Sequence, residues 1–323
     1  MKLYLMPAII VLIFIISLFV WYYFFGEIGE LKKAKKEFEI FGLNEGFVPQ
    51  GIAYIKKHNK FLISGYMSKK NEPSRLYVVD EKTHALDKFV TLRFSSGKSY
   101  FGHAGGIANN ANNCWVSSEG KVYRFLVSDL IDAKQGQAIE IKDFFETENK
   151  ADFCFLQDDF LWVGEFYKLG ASKTDLTHHI TCDGKKLSHA LAFAYKLSNS
   201  ENCVCGINSF QPQMALTLPD LAQGVVCANG KIFVSCSFGI SKSTLLEYEN
   251  VFLKKPQNYY CFGRKKVPIW TLSEKYLRKT HVYPEMLEQV AFVNGRLFMV
   301  FESGAKKYRL FTRTSINHVF SRK

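Results

Sequence analysis

Residues 223–239 (QGVVCANGKIFVSCSFG) and 288–304 (EQVAFVNGRLFMVFESG) align without a gap, and Asn-Gly falls at the same place in both. Each reads as a short apolar strand, a turn that needs φ > 0 at both central residues, and a second apolar strand. One β-hairpin is thus written twice. A hairpin cannot bury both of its faces alone, so its recurrence predicts an array of sheets packed on one another.

Three weaker copies extend the series. Residues 50–66 (QGIAYIKKHNKFLISGY) place Gln50 on Gln223 and Ser64 on Ser235. Residues 103–118 (HAGGIANNANNCWVSS) bring Gly105 to the Gln50 position and Trp115, Val116 and Ser117 onto Leu62, Ile63 and Ser64. Residues 152–165 (DFCFLQDDFLWVGE) repeat the pattern with an Asp-Asp turn and Gly164 in the serine position. Third strands are expected at 75–80, 121–126, 190–197, 244–249 and 307–312, and fourth strands at positions such as 89–94 and 139–141. Five units over residues 42–323 average roughly 56 residues, slightly above the usual propeller blade. The fold expected is therefore all-β: a single β-propeller of four-stranded blades, five in number, or six if a divergent blade lies between Ser172 and Pro219. A two-sheet sandwich would also show short strands and frequent turns, but it gives no reason for one hairpin to recur.

The N-terminus carries a second signal. Residues 3–25 run without a charge and end in Trp21, Tyr22, Tyr23, Phe24 and Phe25, an aromatic belt rather than a small-residue cleavage site. The expectation is an uncleaved transmembrane signal anchor over 1–26, held in lipid by residues 3–25, a charged stalk over 27–44, and a propeller domain over 45–323. Lys32, Lys33, Lys35 and Lys36 favour a cytoplasmic C-terminal side. Single N-terminal anchors commonly export the domain behind them, and the reading favours the extracytoplasmic side for the propeller.

The net charge of +12 and pI near 9.2 raise the question of nucleic acid. The basic residues are scattered in pairs such as Lys69-Lys70 and Lys306-Lys307, with no RRM, zinc-finger or helix-turn-helix pattern, so no nucleic-acid partner is expected. Attraction to lipid headgroups or an acidic surface polymer accounts for the charge. The eight cysteines do not form a disulfide framework by their placement; Cys114, Cys154, Cys227 and Cys236 read as small apolar strand residues. Cys203 and Cys205 with His178, His179 and Cys182 would make a zinc set, but no Cys-x-x-Cys supports it.

Propellers bind ligands at the central channel, so the repeat alignment nominates a ring: Gln50, Gly105, Asp152, Gln223 and Glu288, with His103 two residues before Gly105. Amides, carboxylates and an imidazole around one axis suit a small polar or carbohydrate-like ligand, or a hard cation such as Ca²⁺ held by Asp152 and Glu288. The same side chains could also cap strand ends. Glu165 and Glu302 follow the second strands and read as structural ion-pair partners, Glu302 above all. No GxSxG, P-loop, HExxH or GxGxxG motif is present.

The segments PQGIAY, GHAGGIA and AQGVV, the third-strand segment SRLYVVDEKT and the closing LFMVFESGAKKYR resemble the repeats of the SMP-30/gluconolactonase and strictosidine-synthase-like propellers and related bacterial propeller proteins. The resemblance covers most of residues 45–313 and implies a propeller. In its lactonase-like members it also implies a divalent metal in the channel on Glu, Asn and Asp side chains. Here Gln50-Gly51 stands where those members open with Glu-Gly, and Glu288 is followed by Gln289. The readings left are a membrane-anchored, ligand-binding propeller, a divalent-metal lactonase or esterase with His103 as base, and a scaffold for protein partners.

Overall fold

A computed structural model describes residues 5–24, 29–184, 186–198, 200 and 203–323. Among these, five sheets stand in a ring, each contributing one strand to a central channel. The channel strands are Phe47–Ile55, Gly106–Asn109, Phe153–Gln157, Ala222–Ala228 and Leu287–Val293, the five that the repeat alignment places first in each unit. Each neighbours the next, and the fifth neighbours the first.

Five apolar clusters lie among the described residues, one at each contact between neighbouring blades. Successive residues of a strand point to opposite faces, so a strand between two neighbours is apolar on both. Leu62 joins the cluster shared with the second blade and Ile63 the one shared with the fifth. This is why runs such as LFMVF show no polar alternation.

The hairpin turns adopt the backbone that the sequence requires. Asn229 and Gly230 have φ of 52° and 71°, and Asn294 and Gly295 have φ of 49° and 77°. Cys227 faces Ile232 as the two-residue turn dictates, but Cys236 faces Ala222 rather than Gln223, because the pairing shifts register between Ala222 and Gly224. All eight cysteines are free.

Several expectations need correction. The stretch 172–219 holds no sixth blade: it supplies two strands of the third, Ala190–Lys196 and Met214–Leu218, and a small hairpin of Ile180–Cys182 with Lys186–Ser188. Residues 139–141 do not form the fourth strand of the second blade. Ala138–Glu140 adds in parallel to the first blade, while Asp143–Glu146 closes the second. In the same way Lys265–Trp270 and Asn258–Phe262, which follow the third strand of the fourth blade, extend the third blade. Residues 307–312 form a turn whose N–H groups bond back to Ala305 and Tyr308, and the third strand of the last blade is His318–Arg322.

The charged stalk expected over 27–44 is, from Gly29 onward, part of the propeller. Lys35–Glu39 pairs antiparallel with His318–Arg322 and supplies the outermost strand of the last blade, so both ends of the chain close the ring. Phe38 and Ile40, two residues apart, are buried while Glu39 between them is exposed. The density of lysine and glutamate hides that alternation. Leu5–Phe24 is a helix of 20 residues. Its side chains are described at Pro7 and over 9–18, where they are exposed, and the ends of the expected span, residues 3, 4 and 25, lie outside the described residues. Among the described residues no helix is long and apolar enough to cross a membrane.

Candidate functional site

Three of the five channel strands change register at their mouth: between Pro49 and Gly51, between Ala222 and Gly224, and between Leu287 and Val290. A β-bulge inserts a residue, bends the strand and re-aims the side chain it carries. The residues in these bulges are Gln50, Gln223, and Glu288 with Gln289. The local backbone thus marks three of the five positions that the repeat alignment nominates.

Gln50, His103, Asp152, Gln223 and Glu288 all line one cavity of about 400 Å³ at the mouth of the channel. Gly105, the fifth ring position, lines an adjoining groove instead, and has no room for a side chain because the Asp152 carbonyl would stand 2.2 Å from a Cβ there. The cavity also takes Tyr66, Phe166, Ser237 and Glu302. These four sit two residues past the aligned Ser64, Gly164, Ser235 and Val300, so the second strands contribute a ring of their own. Carrying the alignment those two residues further would have found them. The fifth equivalent, Glu119, lines two adjoining grooves of about 530 and 420 Å³ that meet the cavity at His103.

A hydrogen-bonded chain crosses the mouth. Gln50 Nε2 donates to Glu302 Oε2 at 2.9 Å and to the Pro49 carbonyl at 2.9 Å, and Gln50 Oε1 lies 2.6 Å from His103 Nε2. An amide oxygen only accepts, so His103 carries its proton on Nε2. The ring stacks on Tyr66 with centroids 4.6 Å apart. Solvent reaches His103 from the open side, but the protein packed around it lowers its pKa to about 4, with Lys307 adding to the effect, so the imidazole is neutral at physiological pH.

The carboxyls move the other way. Burial pushes Glu302 up to about 7, against the hydrogen bond from Gln50 and the charge of Lys307. Burial and then the neighbouring Glu302 push Glu288 well above the carboxylate range. Glu288 is only 2% exposed, and its carboxyl receives no hydrogen bond from the described residues. Asp152 is raised to about 6 by burial, although the Phe166 N–H donates to it at 2.6 Å. Two carboxyls that share one negative charge are the arrangement that like-charge repulsion in a low-dielectric pocket enforces. Glu302 is accordingly a cavity residue rather than the ion-pair partner expected of it.

Glu165, one residue before Phe166 in the third blade, stays outside the cavity. Its carboxylate is buried against His178 Nδ1 at 2.8 Å and the Leu191 N–H at 3.0 Å. Cys205 packs with Trp115 and Val122 of the second blade, away from Cys182, so the zinc set is not assembled. Among the described residues no group of three or more His, Cys, Asp or Glu side chains is placed to hold a metal ion.

Beneath Glu288 the channel is closed by Gln289. Its Oε1 accepts from the Ile52 N–H (3.2 Å) and the Ile107 N–H (3.0 Å), and its Nε2 donates to the carbonyls of Ile107 (3.0 Å) and Cys154 (2.8 Å). One side chain of the fifth blade therefore bonds the first three. The cavity beside it is lined by the carboxyls of Asp152, Glu288 and Glu302 and by the rings of Tyr66, Phe166, Phe238 and Tyr308.

No protein-family model matches the sequence, and no curated protein matches it. Among solved structures, glutaminyl cyclase from Myxococcus xanthus aligns at a TM-score of 0.46 and 11% identity over 89% of this chain and 94% of that one. The tail fiber of Staphylococcus aureus phage P68 aligns at 0.43 and 12% identity over 95% of this chain and 55% of the fiber. BamB from Moraxella catarrhalis aligns at 0.34 and 8% identity over 84% of each chain. These distant likenesses assign no activity, and none of them bears on the resemblance to the SMP-30/gluconolactonase group. By its own geometry the chain is a five-bladed β-propeller with a carboxyl-lined cavity at one end of its channel.

Proposed function

We propose that the protein is a membrane-anchored β-propeller that binds a small polar ligand in the channel cavity. The observation that carries this reading is Glu288, a carboxyl enclosed by protein, lining the cavity and given no hydrogen-bond donor by the residues around it. A ligand that donates to this carboxyl makes a hydrogen bond that no described residue already makes, and bonds to charged groups are worth roughly 1.5–3 kcal/mol. Asp152, Gln223 and Gln50 supply further donors and acceptors around the same space. The divalent-metal hydrolase reading has less support: Asp152, Glu288 and Glu302 line one cavity, but among the described residues no three His, Cys, Asp or Glu side chains are grouped so as to hold a metal ion.

A thermal-shift screen of polyols, sugars, amines and small carboxylates on the full chain tests the binding reading. At least one class should raise the melting temperature, and the shift should vanish in Asp152→Leu. No shift from any class, or hits that survive Asp152→Leu, would favour a scaffold that works through its outer faces.

The anchor belongs to the same proposal. It rests on the sequence, in which residues 3–25 carry no charge and end in five aromatic side chains. The full chain is expected to stay with membranes through a carbonate wash and to leave them in detergent. Its recovery in the wash, or a mature N-terminus beyond Phe25, would remove the anchor. Protease added to intact cells should digest the propeller, which the export habit of single N-terminal anchors places outside.

A further inference from the structure

The cavity's chemistry narrows the class of ligand. Its lining holds Glu288, Glu302 and Asp152, three carboxyls that make no salt bridge among the described residues. Its rim holds Tyr66, Phe166, Phe238 and Tyr308, with Phe166 and Phe238 stacked at 6.2 Å. The faces of these rings already attract ammonium groups of the protein itself. Lys307 Nζ lies 5.0 Å from the Tyr66 centroid and 4.9 Å from that of Tyr308, and Lys168 Nζ lies 5.5 Å from that of Phe238. Lys307 is held at the rim by its bond to Tyr66 Oη at 2.8 Å rather than reaching the carboxyls below.

We propose that the ligand carries an ammonium group, primary or quaternary, which enters between the aromatic walls and seats against the Glu288 and Glu302 carboxyls. This rests on the binding reading above and adds the sign of the charge. Aromatic faces attract a cation through the ring quadrupole, and more strongly once water is excluded. An anion would meet Lys307 at the rim and then three carboxyls. A neutral polyol would gain hydrogen bonds but would bring no positive charge to the carboxyls. A volume of about 400 Å³ lies in the range of small-molecule pockets, and the two grooves that meet at His103 leave room for the rest of a larger amine.

The test uses the full-length chain in detergent, with tetramethylammonium, n-butylammonium and erythritol as probes at constant chloride, followed by thermal shift and calorimetry. A saturable rise in melting temperature is expected with at least one ammonium and not with erythritol. Glu288→Gln should weaken ammonium binding at least tenfold, with Glu302→Gln as the second variant should the first not fold. Phe238→Ala should weaken tetramethylammonium more than butylammonium. Ammonium binding left unchanged by both glutamine variants overturns the inference. Erythritol binding in place of ammonium also overturns it, but leaves the cavity a polar-ligand site, whereas no binding by any probe, with no hit in the wider screen, removes both readings.

Discussion

Replacing Gln289 by leucine should cost the propeller about 4–8 kcal/mol, enough to leave it unfolded or on the edge of unfolding. The magnitude follows from what the amide holds. Four buried backbone groups, the N–H of Ile52, the N–H and carbonyl of Ile107 and the carbonyl of Cys154, bond to this one side chain. Leucine has nearly the same volume but offers no donor or acceptor, and each backbone group left bare in a dry channel loses on the order of 1–3 kcal/mol. The loss also falls where the ring closes, since the amide of the fifth blade ties together the first, second and third.

Urea unfolding of the full chain measures this effect directly, and a loss below about 1 kcal/mol would mean that water or relaxed backbone can replace the amide. A companion substitution probes the same packing from the other side. A Cβ at Gly51 would stand 2.4 Å from Ser64 Oγ and 2.8 Å from Gln289 Oε1, so Gly51→Ala should be destabilising as well. Gly224→Ala meets Gln289 Cα at 2.8 Å, a backbone atom that cannot swing away.

The same residues show how far the sequence could be read. Hairpin recurrence was enough to place the five channel strands and to bring Gln50, His103, Asp152, Gln223 and Glu288 to one cavity, because equivalent positions in a closed ring must converge. Glycine follows the ring position at Gly51, Gly106 and Gly224, and a glutamine follows it at Gln289. In physical terms that pattern is one long amide lying across an axis that its neighbours leave open. It reads as a departure from a family pattern until the side chain is seen to cross the channel. Pairings with no local signature stayed hidden. The N-terminal strand joins the C-terminal one across nearly the whole chain, and Ala138–Glu140 crosses to a neighbouring blade in parallel. Neither contact leaves a mark in the short-range hydrophobic pattern. Residues 307–312 misled for a different reason: Tyr308, Leu310 and Thr312 alternate as a strand would, yet Leu310 is 88% exposed and the segment turns over to carry Lys307 and Tyr308 to the rim.

The acid pair should make stability fall as pH rises. Glu302 titrates near 7 in the folded protein against a reference of 4.5, so the folded state holds its proton more tightly than the unfolded chain does. Its contribution is complete below about pH 4.5 and is lost as pH climbs through 7; Asp152, raised from 3.8 to about 6, acts in the same direction. His103 acts in the opposite sense, since its pKa is lowered from 6.5 to about 4 and its contribution fades as pH falls through that window. Above pH 6.5 the histidine is neutral in both states, and the carboxyls alone set the slope. Glu302→Gln keeps an oxygen to accept from Gln50 Nε2 while removing one charge from the pair, which also lets Glu288 ionise without a charged neighbour. The variant should therefore match the parent near pH 4.5 and exceed it by about 3 kcal/mol at pH 8, given 1.36 kcal/mol for each unit of pKa difference. Urea midpoints at the two pH values decide it. A parent protein more stable at pH 8 than the variant, or a difference that does not change with pH, would mean that both carboxylates ionise in the cavity without cost and that no shared proton exists there.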